Sequence, residues 1–200
     1  MKFFKIALHS DESRQLGDLR PISWARRTFS LLTLLLLIGC TTTTVQPQLL
    51  QQPAAAYRVI AVGAVSASDE DLGHTAAVLA RRSLLAELIK SQQFVEVLNL
   101  VPNPPQPGTL LTSGKVTEID KGSTALRFLI GFGAGRARLA GDFKLSDTGG
   151  STLAQFSVSK EYSGGAGMRG ADLVDMDALA TQLGEAAANA IVNWAQRGAL

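Results

Sequence analysis

Apolar residues occupy both alternating positions of the segment Tyr57-Arg58-Val59-Ile60-Ala61-Val62-Gly63-Ala64-Val65. A strand covered on both faces has that pattern, so the segment predicts a central strand at which the fold begins. Ser68, Asp69, Glu70 and Asp71 follow as a cap-forming entry to a helix from about Leu72 to Ser91, whose apolar stripe is Ala76, Leu79, Ala80, Leu84 and Leu88. Arg81, Arg82 and Lys90 fall on its wetter side. A short strand is expected around Phe94 to Leu100, then a stiff surface loop, because Val101 to Gly108 includes four prolines that cannot donate to a sheet.

Leu110 to Lys121 predicts a strand of imperfect period, and the glycine-rich run Leu126 to Gly135 interrupts the pattern. From Arg136 the alternation is clean. Arg136, Arg138, Asp142 and Lys144 share one face, while Leu139, Phe143 and Leu145 share the other, as in a half-exposed strand. Asp147-Thr148-Gly149-Gly150 supplies a turn, and the next run places Ala154, Phe156 and Val158 inward, so the two strands pair as a hairpin. After a glycine-rich loop from Gly164 to Gly170, a last helix is expected from near Asp172, with Met176, Leu179, Leu183, Ala187, Ala190, Ile191 and Trp194 inward. Strand, helix, a run of strands and a helix predict an α+β fold: a two-layer sandwich with a mostly antiparallel sheet of about five strands and two helices on one face.

The N-terminal part follows different rules. Phe29 to Ile38 is an unbroken apolar run of about ten residues, where a spanning helix needs about twenty. It follows Arg26-Arg27 and ends in Leu37-Ile38-Gly39-Cys40, the order of an export signal cleaved before a cysteine. Residues 1–39 are therefore read as a lipoprotein signal peptide and Cys40 as the lipidated N-terminus. The stretch before the apolar run is long and holds Asp11, Glu12 and Asp18, which fits a start further downstream. Arg26-Arg27-Thr28-Phe29 also resembles a twin-arginine pattern, with Ala25 where Ser or Thr is usual; the general secretory route is the preferred reading. Residues 40–56 are uncharged and rich in Thr, Gln, Pro and Ala, which predicts a flexible tether that stands a single domain, residues 57–196, off its membrane. Thr41 stands where an aspartate retains Gram-negative lipoproteins in the inner membrane, so the expected location is the outer membrane, facing the periplasm.

Charge narrows the partners. Of 19 Lys and Arg, six lie in residues 1–39, as do three of the 17 Asp and Glu, leaving 13 bases against 14 acids. Without a concentrated basic stripe, a nucleic-acid partner is disfavoured. Cys40 is the single cysteine and His74 the single histidine after the leader, so neither an internal disulfide nor a zinc set is expected, and no cofactor is assigned.

Candidate chemistry is sparse. Gly131-Phe132-Gly133-Ala134-Gly135 lacks the third glycine and following helix of a dinucleotide loop, since Arg136 and a strand come next. His74, Asp71 and Ser68 crowd one helix entry, where capping accounts for them. Asp175 and Asp177 lie two apart on a helix and point to different sides. No catalytic residue is assigned and an enzyme is the weakest class. Arg127, Arg136 and Arg138 bracket the apolar residues Phe128, Leu129, Ile130 and Phe132, and this segment is either core strand with arginines on its wet face or, if exposed, a protein contact.

The segment from Arg127 to Ala137, followed by a strand, Asp147, Gly149-Gly150 and another strand, resembles the domain-of-unknown-function 4410 family of bacterial lipoproteins over about Tyr57 to Trp194. The resemblance implies a periplasm-facing lipoprotein and carries no catalytic residues with it. The expectation is thus a lipid-anchored protein-interaction module, its membrane reached through the N-terminal lipid and its envelope partner contacted through Arg127, Phe132, Gly133, Arg136 and Arg138. The rival expectation is a self-assembling secretion or pore-forming lipoprotein; the oligomeric state is left open.

Overall fold

The computed structural model describes residues 40–52, 57–68, 70–123, 135–163 and 174–197. The signal-peptide reading of residues 1–39 and the contact residues Arg127, Phe132 and Gly133 lie outside them. The elements in chain order are β1 (Cys40–Leu50), β2 (Val59–Ala67), α1 (Glu70–Ser91), β3 (Glu96–Leu98), β4 (Thr109–Asp120), β5 (Ala137–Ser146), β6 (Thr152–Ser163) and α2 (Met176–Arg197). The six strands form one sheet in the order β1-β6-β5-β4-β2-β3.

The fold is α+β, but the sheet is mixed. β2 pairs in parallel with both β3 and β4, whereas β4-β5, β5-β6 and β1-β6 are antiparallel. The parallel pairs have a physical origin in α1, whose 22 residues carry the chain about 33 Å back toward the start of β2, so that β3 enters in the same direction as β2. β2 consequently lies next to the short edge strand β3, and only Ile60, Ala61 and Val62 are fully buried along it. The imperfect period of β4 is a bulge: its register with β5 shifts between Val116 and Glu118.

The tether expected over residues 40–56 is corrected over its first part. Cys40–Leu50 is an edge strand, paired along its length with β6 from Cys40 opposite Ser163 to Leu50 opposite Ala154. It stays there because β6 and α2 supply what its own sequence lacks. Lys160 Nζ donates to Thr43 Oγ1, Gln48 Nε2 donates to Ser157 Oγ, and Trp194 Nε1 donates to Gln51 O at 2.9 Å.

Both helices contact the sheet and each other around one apolar core. Leu139, Phe143 and Leu145 of β5 and Ala154, Phe156 and Val158 of β6 are buried in it, as the alternation predicts. α1 contributes Ala76, Ala77, Ala80, Leu84 and Leu88, and α2 contributes Leu179, Leu183, Ala187, Ile191 and Trp194. The last helix begins four residues later than expected, because Asp175 caps it: Asp175 Oδ1 accepts from Ala178 N at 2.9 Å. Among the described residues no helix is long and apolar enough to cross a membrane.

Candidate interaction surface on the sheet

The strand alternation that buries Leu139, Phe143 and Leu145 turns Arg138, Asp142 and Lys144 to the face of the sheet away from the helices. Cross-strand register then decides which groups meet. Arg138 lies opposite Glu161 of β6 and Asp120 of β4, and Asp142 lies opposite Ser157. Arg138 Nε sits 3.4 Å from Glu118 Oε2 and 3.7 Å from Glu161 Oε1, while Arg136 Nη1 reaches Glu161 Oε2 at 3.2 Å. A string of alternating charge, Glu118-Arg138-Glu161-Arg136, therefore crosses β4, β5 and β6. These side chains are 29–54% exposed, so each pair contributes no more than about 1 kcal/mol to folding. Their placement, not their strength, is what the sheet dictates.

Arg136 is brought there by the way the chain returns to the sheet. Gly122, at φ 66°, turns the chain after β4, and a Cβ on it would lie 2.3 Å from the carbonyl oxygens of Gly135 and Arg136. Ser123 N donates to Gly135 O at 3.2 Å, so the end of β4 and the start of β5 are held side by side. Beside the charged string a second polar chain runs across three strands, from Gln48 to Ser157 to Asp142. A depression of about 320 Å³ lies between them, lined by Thr44, Gln46, Glu118, Arg138, Asp142 and Ser157. Donors and acceptors line this depression among the described residues, a polar setting unlike the mostly apolar clefts that enclose small ligands. Of the expected contact residues, the structure places Arg136 and Arg138 together on this face.

The opposite side of β1 holds a groove that the sequence does not announce. Lys160 points from β6 toward the helix layer, 8% exposed, and is the one charged side chain among the described residues that is buried. Thr43, Gln182, Glu185 and Asn189 surround it in a cavity of about 290 Å³ between β1 and α2. Burial pushes the Lys160 ammonium below its ordinary value near 10.5, with the Glu185 carboxylate acting in the other direction. The native state thus holds this proton less tightly than the unfolded chain does. Stability from this site is complete above the ordinary lysine value and is lost as pH falls through the lower native value. Relative to Lys160→Met, the wild-type chain is expected to gain stability as pH rises toward 10.5, read by denaturant unfolding at a series of pH values. Parallel pH profiles for the two chains would contradict it.

Comparison with known proteins gives a family match and a set of solved structures of low similarity. The family model described as Domain of unknown function (DUF4410) matches residues 38–166, from β1 through β6. The match starts earlier than the resemblance expected from Tyr57 and stops before α2. No curated protein matches the chain. Among the solved structures are two crystal forms of the PelC dodecamer from Paraburkholderia phytofirmans. A point variant is 17% identical with a TM-score of 0.41, over 74% of this chain and 94% of that one. The second is 18% identical with a TM-score of 0.39, over 72% and 94%.

Proposed function

The chain belongs to the domain of unknown function DUF4410 family, and from that premise we propose that it is a lipid-anchored envelope lipoprotein whose sheet face binds another protein. The carrying observation is the polar face itself, where Glu118, Arg138, Glu161 and Arg136 present alternating charge across three strands while partly open to solvent. Charged groups so arranged select a complementary surface and set its register more than they add affinity. Cys40 is the proposed attachment site for the lipid, at the outer membrane facing the periplasm. With Cys40 as the first residue of β1, no slack separates the anchor from the sheet, so the domain rests at the bilayer surface instead of standing off it.

Two measurements test this reading. Incorporation of labelled fatty acid and retention in the membrane fraction are both expected for the wild-type chain and are expected to vanish in Cys40→Ser; persistence of either signal would remove the anchor. Crosslinking in living cells is expected to yield a defined heterologous adduct that Arg136→Glu with Arg138→Glu weakens at least about tenfold. An unchanged adduct pattern would remove the sheet face as the contact.

A second reading, self-assembly, is favoured by β1. This edge strand is eleven residues long and carries no charged side chain, and its only interruptions are Pro47 and the register shift beside it, so Cys40 to Gln46 presents a plain edge of the kind that monomers usually guard.

A further inference from the structure

The large hydrophobic residues left exposed are not scattered. Among the described residues they are eight, and six of them sit at the two opposite edges of the sheet. Val45, Leu49 and Leu50 lie on β1, at 39–41% exposure. Val95, Leu100 and Val101 flank β3, with Val95 and Leu100 at 74%. Deepening the self-assembly reading, on which this step rests, we infer that copies of the chain associate head to tail, the β1 edge of one against the β3 edge of the next.

The two edges differ in a complementary way. Along β1 an apolar groove of about 190 Å³ opens between the strand and α2, lined by Val45, Pro47, Leu50, Phe156 and Trp194. The β3 edge instead carries Val95 and Leu100 largely in solvent. Its backbone is closed to further strands beyond Ala61, because Arg81 donates to Gly63 O and Val62 O at 2.9 Å each and also reaches Asn99 O. What that edge offers is aliphatic side chains on either side of a three-residue strand. Charge agrees: Arg197 stands exposed at the end of the groove, and Glu96 stands exposed on β3.

A two-fold pairing of β1 with β1 accounts for less. It leaves Val95, Leu100 and Val101 bare, and it reverses one strand, setting the two Cys40 ends about 35 Å apart along the strand direction. Head-to-tail contact uses both patches and repeats one rotation. With the rotation axis normal to the bilayer, every copy presents Cys40 to the same side, so one membrane can hold all the anchors.

The test uses the full chain extracted from membranes in mild detergent. Its mass is read by light scattering, and crosslinking uses a short bismaleimide with Leu50→Cys and Leu100→Cys in one chain. The expected results are a mass of several copies, a ladder of adducts for the double variant, and none above the wild-type background for either single variant. Leu100→Glu, at an exposed position and so harmless to the fold, is expected to weaken association about tenfold or more. A monomeric mass for the wild-type chain would overturn both the inference and the self-assembly reading. A multimeric mass without the ladder, or one indifferent to Leu100→Glu, would overturn the edge assignment while leaving self-assembly standing. Dimers from Leu50→Cys alone would show β1 pairing with itself and overturn the head-to-tail arrangement.

Discussion

Gly184→Leu is expected to lower the unfolding free energy by more than about 3 kcal/mol, read from denaturant or thermal unfolding. At this position α2 crosses α1 so closely that a Cβ would fall 2.1 Å from Ala80 O and 2.1 Å from Ser83 Oγ. The first is backbone and cannot swing aside. The second is held in place, since Ser83 Oγ lies 2.7 Å from Thr181 O across the helix pair and 3.1 Å from Ala80 O in its own helix. A larger side chain must therefore push the helices apart along the core, loosening Leu84 and Leu183, both fully buried. Replacing Gly in a helix interior returns at most about 1 kcal/mol in propensity, too little to offset the overpacking. For a domain of this size the melting temperature should fall by about 10 °C. A Gly184→Leu chain as stable as wild type would show that the helices separate at almost no cost.

That contact also marks how far the sequence could be read. The stripe Leu179, Leu183, Ala187, Ile191 and Trp194 identifies the inner face of α2 from spacing alone, and burial agrees. Nothing in the stripe says that Gly184 meets Ala80, because the partner helix lies about a hundred residues away. The β5-β6 hairpin was legible for a local reason. Asp147 Oδ1 accepts from Ser151 N at 2.8 Å, and Gly150 takes φ 87°, so the turn is set by residues adjacent in sequence. The alternation likewise sends Arg136 and Arg138 to the polar face, but their sharing of Glu161 depends on register with β6, which no local pattern encodes.

β1 was illegible for the opposite reason. Thr41 to Leu50 has no charge, no clear alternation and a proline at Pro47, and these are also the marks of a linker. Its strand state comes from a single neighbour, β6, whose Lys160 and Ser157 side chains bond to it, and from Trp194 of α2, which bonds just beyond its end. The parallel pairing of β2 with β4 was hidden in the same manner, since periodicity reports that a segment is extended and which face is apolar, but not the direction of its neighbour.

Trp194→Ala is expected to cost about 3–5 kcal/mol and to release the C-terminal end of β1. Trp194 is 3% exposed, so its removal leaves a large cavity in the core. It also deletes the indole N–H that donates to Gln51 O at 2.9 Å, one residue beyond the strand. Gln51 N donates to Leu153 O at 2.8 Å, so the lost bond sits where β1 is fastened to both α2 and β6. Amide exchange of residues 45–51 should accelerate more than exchange in β5, a contrast that a uniform loss of stability does not produce. Tyr57 gives a second readout. Its ring stacks on Trp194 with centroids 6.4 Å apart, and burial, aided by the Asp147 charge, raises its phenol above the ordinary value of 10.0. Opening the cavity should let that value fall back toward 10.0, visible in an ultraviolet titration because the chain has two tyrosines. Trp194→Phe separates the causes: it keeps most of the packing and the stack but not the donor, so it should loosen β1 while costing only about 1–2 kcal/mol. If Trp194→Phe leaves exchange along β1 unchanged, packing alone fastens the strand and the indole bond to Gln51 has no part in it.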